Sequence, residues 1–534
     1  MTRTAGGRAA TLMGAAALIA AVTVVARVVG FGRWLVFAHS VADGTSCLGG
    51  AYSTANMLPN IVFEVVAGGA LAGAVVPLVA GPLARGESEV VSRTVSALLG
   101  WSLLVLVPLS LLMAVLAHPL MSVLVGSPAG CSGADTTRAA ALMFALFAPQ
   151  VVLYGLAVVA NGVLNAHRRF LAPALAPLLS SAVVVATYLA FSASYSGSAD
   201  DVGAVPDRAL LVLGLGTTAG VVVLAATSLI PLRRLGLRAR PTLRFPAGAA
   251  RRARSLALAG LAGLVAQQLA TLVVVLVANS QGERGALNTF NYAWAVYLLP
   301  YAVLAVPVAT TSFTALSEHV GGGTHDGFVR TAASTTRAVV LVSCLGAGLL
   351  AATALPVART FAVDPPEHLA WALVAFAPGL VGFGLLAHWT RALYALGAGR
   401  SAAIGTVAGW AVAAGGMVVL GVLLSPAHTV VGIGAAVSAG MTIAGLLLAR
   451  ALVRAAGAAA LRGSARALGA GLGGAAAAGA LGGWLGTVLP VGGFWPSALE
   501  AVLVSAVALA VFAGLVLLLD GGDARAVLRR RFAG

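Results

Sequence analysis

Stretch after stretch of this chain is apolar over about the twenty residues that a helix needs to cross a hydrocarbon core, and no other feature of the sequence constrains the fold as tightly. Soluble domains carry roughly 25% charged residues. Here 9% are charged and 60% hydrophobic, too little polar surface to wrap a soluble core of 534 residues. In lipid, each backbone N–H and C=O must be satisfied within its own segment, so an all-α, polytopic membrane protein is the expectation. Fourteen spans fit the pattern, at about 11–38, 48–82, 95–117, 139–164, 170–193, 209–231, 255–279, 286–317, 333–356, 368–392, 401–424, 429–449, 467–489 and 497–519. The first apolar run, preceded by Arg3 and Arg8, continues past the usual length of a secretory signal and reads as a retained anchor.

An even number of spans puts both termini on one side, and the basic residues say which. The formal charge of +16 would suggest a nucleic-acid ligand in a soluble protein, but the chain contains no Lys, and its arginines follow the topology. Twenty-six of the 32 fall on the side of the termini, eight of them in the run Arg233 to Arg254, against four on the other side (Arg138, Arg208, Arg284 and Arg359). Acidic residues such as Asp43, Asp135, Asp200, Asp201, Asp364 and Glu367 gather on that arginine-poor side. A multi-pass protein of the plasma membrane with cytoplasmic termini follows, without nucleic-acid partners.

The basic loop 232–254 divides the first twelve spans into six and six, which predicts an N-terminal lobe over 1–231 and a C-terminal lobe over 255–456. Spans 13 and 14 with a short cytoplasmic tail occupy 457–534. Transporters built from repeated halves interrupt their helices at corresponding positions. Span 2, "NMLPNIVFEVVAGG", carries Pro59, and span 8, "NYAWAVYLLPYAVLAVP", carries Pro300. The loops "NAHRRF" and "TRALYALGAGR", after spans 4 and 10, match in position and charge. With 66 Gly in the chain, close helix packing is expected, and the Gly- and Ala-rich span 13 needs no other role.

Two arginines remain inside a span. Arg27 and Arg33 lie about 9 Å apart along a helix and about 120° apart around it, with Gly30 and Gly32 between them to permit a bend. An Arg at mid-bilayer costs about 2.5–3.5 kcal/mol on insertion scales and usually faces a bundle interior or a wet cavity. Glu64, in the middle of span 2, is a partner for either arginine or a carrier for a coupling proton or cation. Asn56 and Asn60 flank Pro59, where their side chains can satisfy freed backbone groups or meet a ligand. Gln267, Gln268, Asn288 and Asn291 add uncharged polar groups in spans 7 and 8.

No HExxH, GxSxG or phosphate-binding loop is present, so catalysis is not expected. No cofactor or metal is implied, and a coupling ion or the membrane potential is left as the energy source. Cys47, Cys131 and Cys344 lie far apart without a CxxC and read as unpaired thiols.

The segments "ARVVGFGRWLVFA", "AYSTANMLPNIVFEVVAGGALAGAVVPLV" and "NGVLNAHRRFLAPALAPLLSSAVVV" resemble the MurJ/MviN family of lipid II flippases. That family belongs to the exporter superfamily that includes MATE transporters, and the "NIVFEVVAGG" variant is similar to its actinobacterial branch. The resemblance implies two six-helix lobes in a pseudo-symmetric V, two extra C-terminal helices, and a role in peptidoglycan synthesis, cell wall and cell shape. It implies transport of undecaprenyl-pyrophosphate-linked precursor between leaflets by alternating access. On that resemblance Arg27 and Arg33 engage the pyrophosphate, Asn56, Asn60, Glu64 and Asn291 line the substrate path, and Gly30, Pro59 and Pro300 act as helix breaks. The chain departs from many members at Gly50, at Phe63 and Glu64 after LPN, and at Ala295. It shows no acidic pair in spans 11 and 12, so no sodium site is carried over. Export of another polyprenyl-linked glycan or an amphipathic drug is the alternative. A non-transporting scaffold for cell-wall synthesis or division proteins is the other.

Overall fold

The computed structural model describes residues 3–42, 45–66, 72–126, 130–236, 240–246, 249–489 and 492–519. Among them every regular element is helical. The expected tail after residue 519 lies outside the described residues, as do 237–239 and 247–248 of the basic loop.

Contacts divide the chain into two units, Met1–Gln268 and Leu269–Gly534. The first holds α1 (Arg3–Ser40), α2 (Cys47–Glu64), α3 (Ala72–Ala84), α4 (Ser88–Val115), α5 (Ala117–Val125), α6 (Gly133–Phe147), α7 (Gln150–Ala166), α8 (Leu171–Ser194) and α9 (Asp207–Arg233). The boundary falls inside α10 (Ala249–Gln281). The second unit continues with α11 (Ala286–Pro300), α12 (Val306–Gly321), α13 (His325–Ala352), α14 (Ala354–Thr360), α15 (Pro366–Phe376), α16 (Gly379–Ala395), α17 (Gly399–Leu423), α18 (Thr429–Ala456), α19 (Ser464–Val488) and α20 (Phe494–Leu519).

Twelve helical stretches among the described residues are long and apolar enough to cross a membrane, and α15 with α16, bent by 42°, makes a thirteenth. The fourteenth expected span, 48–82, is divided. Its first part, α2, has 18 residues, includes Ser53, Thr54, Asn56, Asn60 and Glu64, and ends in a π turn at Val65–Val66. Its second part, α3, is a separate short helix. Span 8 is interrupted in the same manner: α11 ends at Pro300 and a π turn, Tyr301–Ala305, leads into α12. A proline withholds one N–H from the ladder and crowds the carbonyl four residues back; for Pro307, at the start of α12, that carbonyl is Val303, within the wider turn, whereas α2 continues through Pro59 to Glu64. Gly30 produces no such interruption, because α1 runs as one continuous helix through it.

The two units share a repeat that extends beyond the prolines. "FAPQVVLYGL" (147–156) and "FAPGLVGFGL" (376–385) occupy the same place in spans 4 and 10, each at the junction of two helices. Eighteen residues past the Pro–X junction both helices end alike. Arg168 (φ 59°) and Gly397 (φ 71°) take the left-handed conformation. The following N–H groups, of Arg169 and Ala398, reach back to Leu164 and Leu393 carbonyls at 2.8 Å. This is the Schellman closure, for which Gly is usual and Arg168 is the strained version.

Small residues set the packing in the second unit. Along α19, Ala467, Gly471, Gly474, Ala478, Gly482 and Gly486 are buried at spacings of three or four, and this stripe lies against α13. A Cβ on Gly471 would sit 2.8 Å from Cys344 Sγ, and one on Gly348 would sit 2.9 Å from Ala475 Cα. Span 13 is therefore Gly-rich because its backbone touches α13 directly. The ion pair of half-buried Arg359 with buried Glu500, N···O 3.0 Å, ties α14 to α20. Arg359 also donates to the Gly486 carbonyl at 3.0 Å.

In the first unit, part of the basic loop forms a strap across α4. Thr242 N–H donates to Ser96 O at 3.1 Å, Arg240 N–H to Ser96 Oγ at 3.0 Å, and Trp101 Nε1–H to Leu243 O at 3.1 Å. Gly100 leaves room for it, since any Cβ there would overlap the Thr242 backbone.

Cys47 and Cys131 correct the reading of unpaired thiols: they form a disulfide, Cα–Cα 5.8 Å, across a separation of 84 residues. The start of α2 and the loop before α6 converge at one end of the unit. There Cys47 N–H also donates to Asp200 Oδ1 at 3.2 Å and Leu48 N–H to Ala199 O at 3.0 Å. Cys344 is free and buried.

Candidate functional site

The candidate residues of the first unit sit on α1, α2 and α7. Arg27 is exposed and Arg33 half-buried on α1. Among the described residues neither has a carboxylate partner. The guanidinium of Arg33 lies 5.6 Å from the Trp34 ring centroid, a weak cation–π contact that leaves its N–H fork available.

Beside Arg33, an aromatic layer fixes the helices. Tyr52, 3% exposed, shares hydrogen bonds with Tyr188 at 3.0 Å and Thr217 at 2.9 Å. Phe37 packs on Tyr52 and Tyr188 at 5.2 and 5.3 Å between centroids, and Phe147 meets Tyr52 edge-on at 5.6 Å. With their hydroxyls satisfied, these rings bury at little polar cost, and they hold α1, α2, α6, α8 and α9 together.

Asn56, Asn60 and Glu64 follow one another at intervals of four residues, so they form one stripe along α2. The buried stripe of Tyr52, Ala55 and Pro59 lies beside it. Asn56 and Asn60 are half-buried and Glu64 is exposed, and none of the three has a hydrogen-bond or ion-pair partner among the described residues. Two expectations are thereby corrected. The asparagines do not serve the backbone freed by Pro59, since neither has a hydrogen-bond partner among the described residues. Glu64 does not pair with Arg27 or Arg33. On α7, Tyr154 packs on Phe63 of α2, centroids 4.4 Å apart. Tyr154 is a site residue that the sequence reading missed. Its signal was the repeated FAPxxVxxGL, whose eighth position is Tyr154 in one copy and Phe383 in the other.

The second unit carries aromatic rings at the matching place. Tyr301, on the π turn after Pro300, packs on Phe383 at 4.2 Å, and Trp294, Tyr297 and Phe376 continue the cluster. Asn291 is buried on α11 with no hydrogen bond among the described residues. No group of three or more His, Cys, Asp or Glu suited to a metal ion occurs among the described residues.

Comparison with known proteins agrees with this architecture. The family model described as lipid II flippase MurJ matches residues 41–494. The "Probable lipid II flippase MurJ" of Rhizobium tropici is 29% identical over 305 residues, covering 56% of this chain and 54% of that protein, so the match spans about half of that relative's length. The "Lipid II flippase MurJ" of Burkholderia cenocepacia is 27% identical over 389 residues, 70% of this chain and 71% of that protein. The structure titled "Lipid II flippase MurJ, inward closed conformation" superposes with a TM-score of 0.71 at 18% identity, covering 94% of this chain and 98% of that one.

Proposed function

The chain belongs to the lipid II flippase MurJ family, and from that premise we propose that it carries an undecaprenyl-pyrophosphate-linked peptidoglycan precursor from the inner to the outer leaflet of the bacterial plasma membrane by alternating access. The observation that carries the proposal is the pair Arg27 and Arg33, cations in a membrane span with no carboxylate partner among the described residues. A pyrophosphate crossing a low-dielectric path needs permanently charged, forked donors, and guanidinium supplies them. The amides of Asn56 and Asn60 extend the polar path along α2. Glu64, unpaired on the same stripe, is our candidate for the group that takes up a coupling proton or cation; the membrane potential is the other source of drive. No covalent step is involved.

The disulfide supports the orientation with cytoplasmic termini. Cys47 follows the first span and Cys131 precedes the fourth, so both lie at the end opposite the termini, and disulfides persist in oxidising compartments.

The test is depletion in the host with a probe for lipid II in the outer leaflet. Complementation uses wild type, Arg27→Ala and Glu64→Gln at matched expression. Wild type restores exposed lipid II and Arg27→Ala does not; full rescue by Arg27→Ala would remove span 1 from substrate recognition and the proposal with it.

A further inference from the structure

At the arginine-rich end of the second unit, α17 and α18 enclose a groove of about 490 Å³ whose lining includes Ser401, Ile404, Leu447, Arg450 and Arg454. The geometry points to a binding site for the phosphate headgroup of an anionic phospholipid of the adjoining leaflet. This does not depend on the transport reading, and none of the groove's residues belongs to the candidate site above.

Charge is the first argument. Arg450 and Arg454 are four residues apart on α18, hence on one face, and both are exposed. Neither makes an ion pair or hydrogen bond among the described residues, and neither α17 nor α18 contains an acidic residue. Like charges at this spacing repel by a few tenths of a kcal/mol, so the pair is an uncompensated cationic seat. Topology alone places arginines at this end, but it does not require a groove between them.

Donor geometry is the second. The groove mouth includes Ala398 and Ser401, at the start of α17. Ala398 offers no side-chain cap, and the Ser401 hydroxyl has no partner among the described residues. That hydroxyl adds a neutral donor to a groove lined by the two guanidinium groups.

The wall is the third. Ile404 and Leu447, 57% and 37% exposed, form an apolar flank next to the arginines. Gly405 brings the helices together behind that flank, where a Cβ would stand 2.8 Å from Leu448 Cδ2. A soluble phosphate has no use for such a flank, whereas a glycerophospholipid lays its acyl chains along it. Basic pockets between helices at this membrane face suit anionic headgroups.

The experiment is native mass spectrometry of the full chain in detergent, titrated separately with phosphatidylglycerol, phosphatidylcholine and inorganic phosphate. Wild type should take one tight phosphatidylglycerol, and the Arg450→Gln/Arg454→Gln variant should bind it about 30-fold more weakly. Ser401→Glu should weaken it as well, and Arg450→Lys/Arg454→Lys should keep most of it, which separates lost charge from lost fold. Equal binding of phosphatidylglycerol by wild type and the glutamine variant would overturn the site. So would equal affinity for phosphatidylcholine, displacement by inorganic phosphate, or displacement of the bound lipid by a polyprenyl pyrophosphate.

Discussion

The Cys47–Cys131 disulfide makes the most quantitative prediction. It closes a loop with a sequence separation of 84. Chain-entropy accounting for a loop of that length gives about 15 cal/mol/K, or about 4.5 kcal/mol at 25 °C. That figure is a ceiling here, because α2, α3, α4 and α5 lie within the loop and membrane-inserted helices stay stiff when tertiary packing is lost. We expect about 2–4 kcal/mol, the common range for a native bridge. The Cys47→Ser/Cys131→Ser variant leaves Cys344 as the sole thiol, and Cys344 is buried. A thiol-reactive fluorophore then reports unfolding through the same residue in wild type and variant, under non-reducing conditions. The variant should melt several degrees lower, and denatured wild type should label at one cysteine. Three reactive thiols in denatured, non-reduced wild type, or coincident melting curves, would refute the reasoning. A membrane-impermeant reductant added to intact spheroplasts should open the bridge, which checks its side of the membrane in the same preparation.

Two further predictions concern the second unit. Gly471→Leu forces a side chain between α19 and α13, where even a Cβ would be 2.8 Å from Cys344 Sγ; a loss of about 1–3 kcal/mol is expected in thermal melts, with little change for Gly469→Leu, whose Cβ meets nothing within 4 Å. Arg359→Ala leaves the Glu500 carboxylate, 5% exposed, without its ion-pair partner, and should cost about 3–5 kcal/mol. Replacing both residues with Met should recover most of that loss, and a double variant as unstable as the single one would contradict the ion-pair account.

The sequence disclosed what depends on composition and short periods. Membrane spans follow from apolar length, and the end of α11 at Pro300 from an absent N–H; both are local rules, though α2 runs on through Pro59 to Glu64. Long-range pairings left no such trace. Cys47 and Cys131 meet because α2 lies along α6, and no spacing rule connects residues brought together by helix packing. His388 is similar: no motif marks it, yet it is fully buried, with Ser312 and Thr335 hydroxyls at 3.2 and 3.1 Å from its two ring nitrogens. At the candidate site, residue types were legible but their relations were not. Glu64 carries the charge expected to quench Arg27 or Arg33, but a carboxylate on α2 reaches an arginine on α1 only if both helices turn those faces together.

The repeat gives that outcome a physical reading. Both units interrupt a proline-bearing span at a π turn and both close the FAP helix with the same left-handed turn, so the scaffold is common and the side chains on it have diverged. Counting from the shared proline, Asn56, Asn60 and Glu64 in the first unit take the places of Tyr297, Tyr301 and Ala305 in the second. Tyr297 and Tyr301 pack on Phe376 and Phe383, and the Tyr297 hydroxyl is buried without a hydrogen-bond partner. The polar set has no partner among the described residues, in a part of the chain where unpaired polar groups are costly. A scaffold that tolerates the aromatic version has no structural need of the polar one. The polar stripe on α2 therefore supports the proposed substrate path better than it does a structural role.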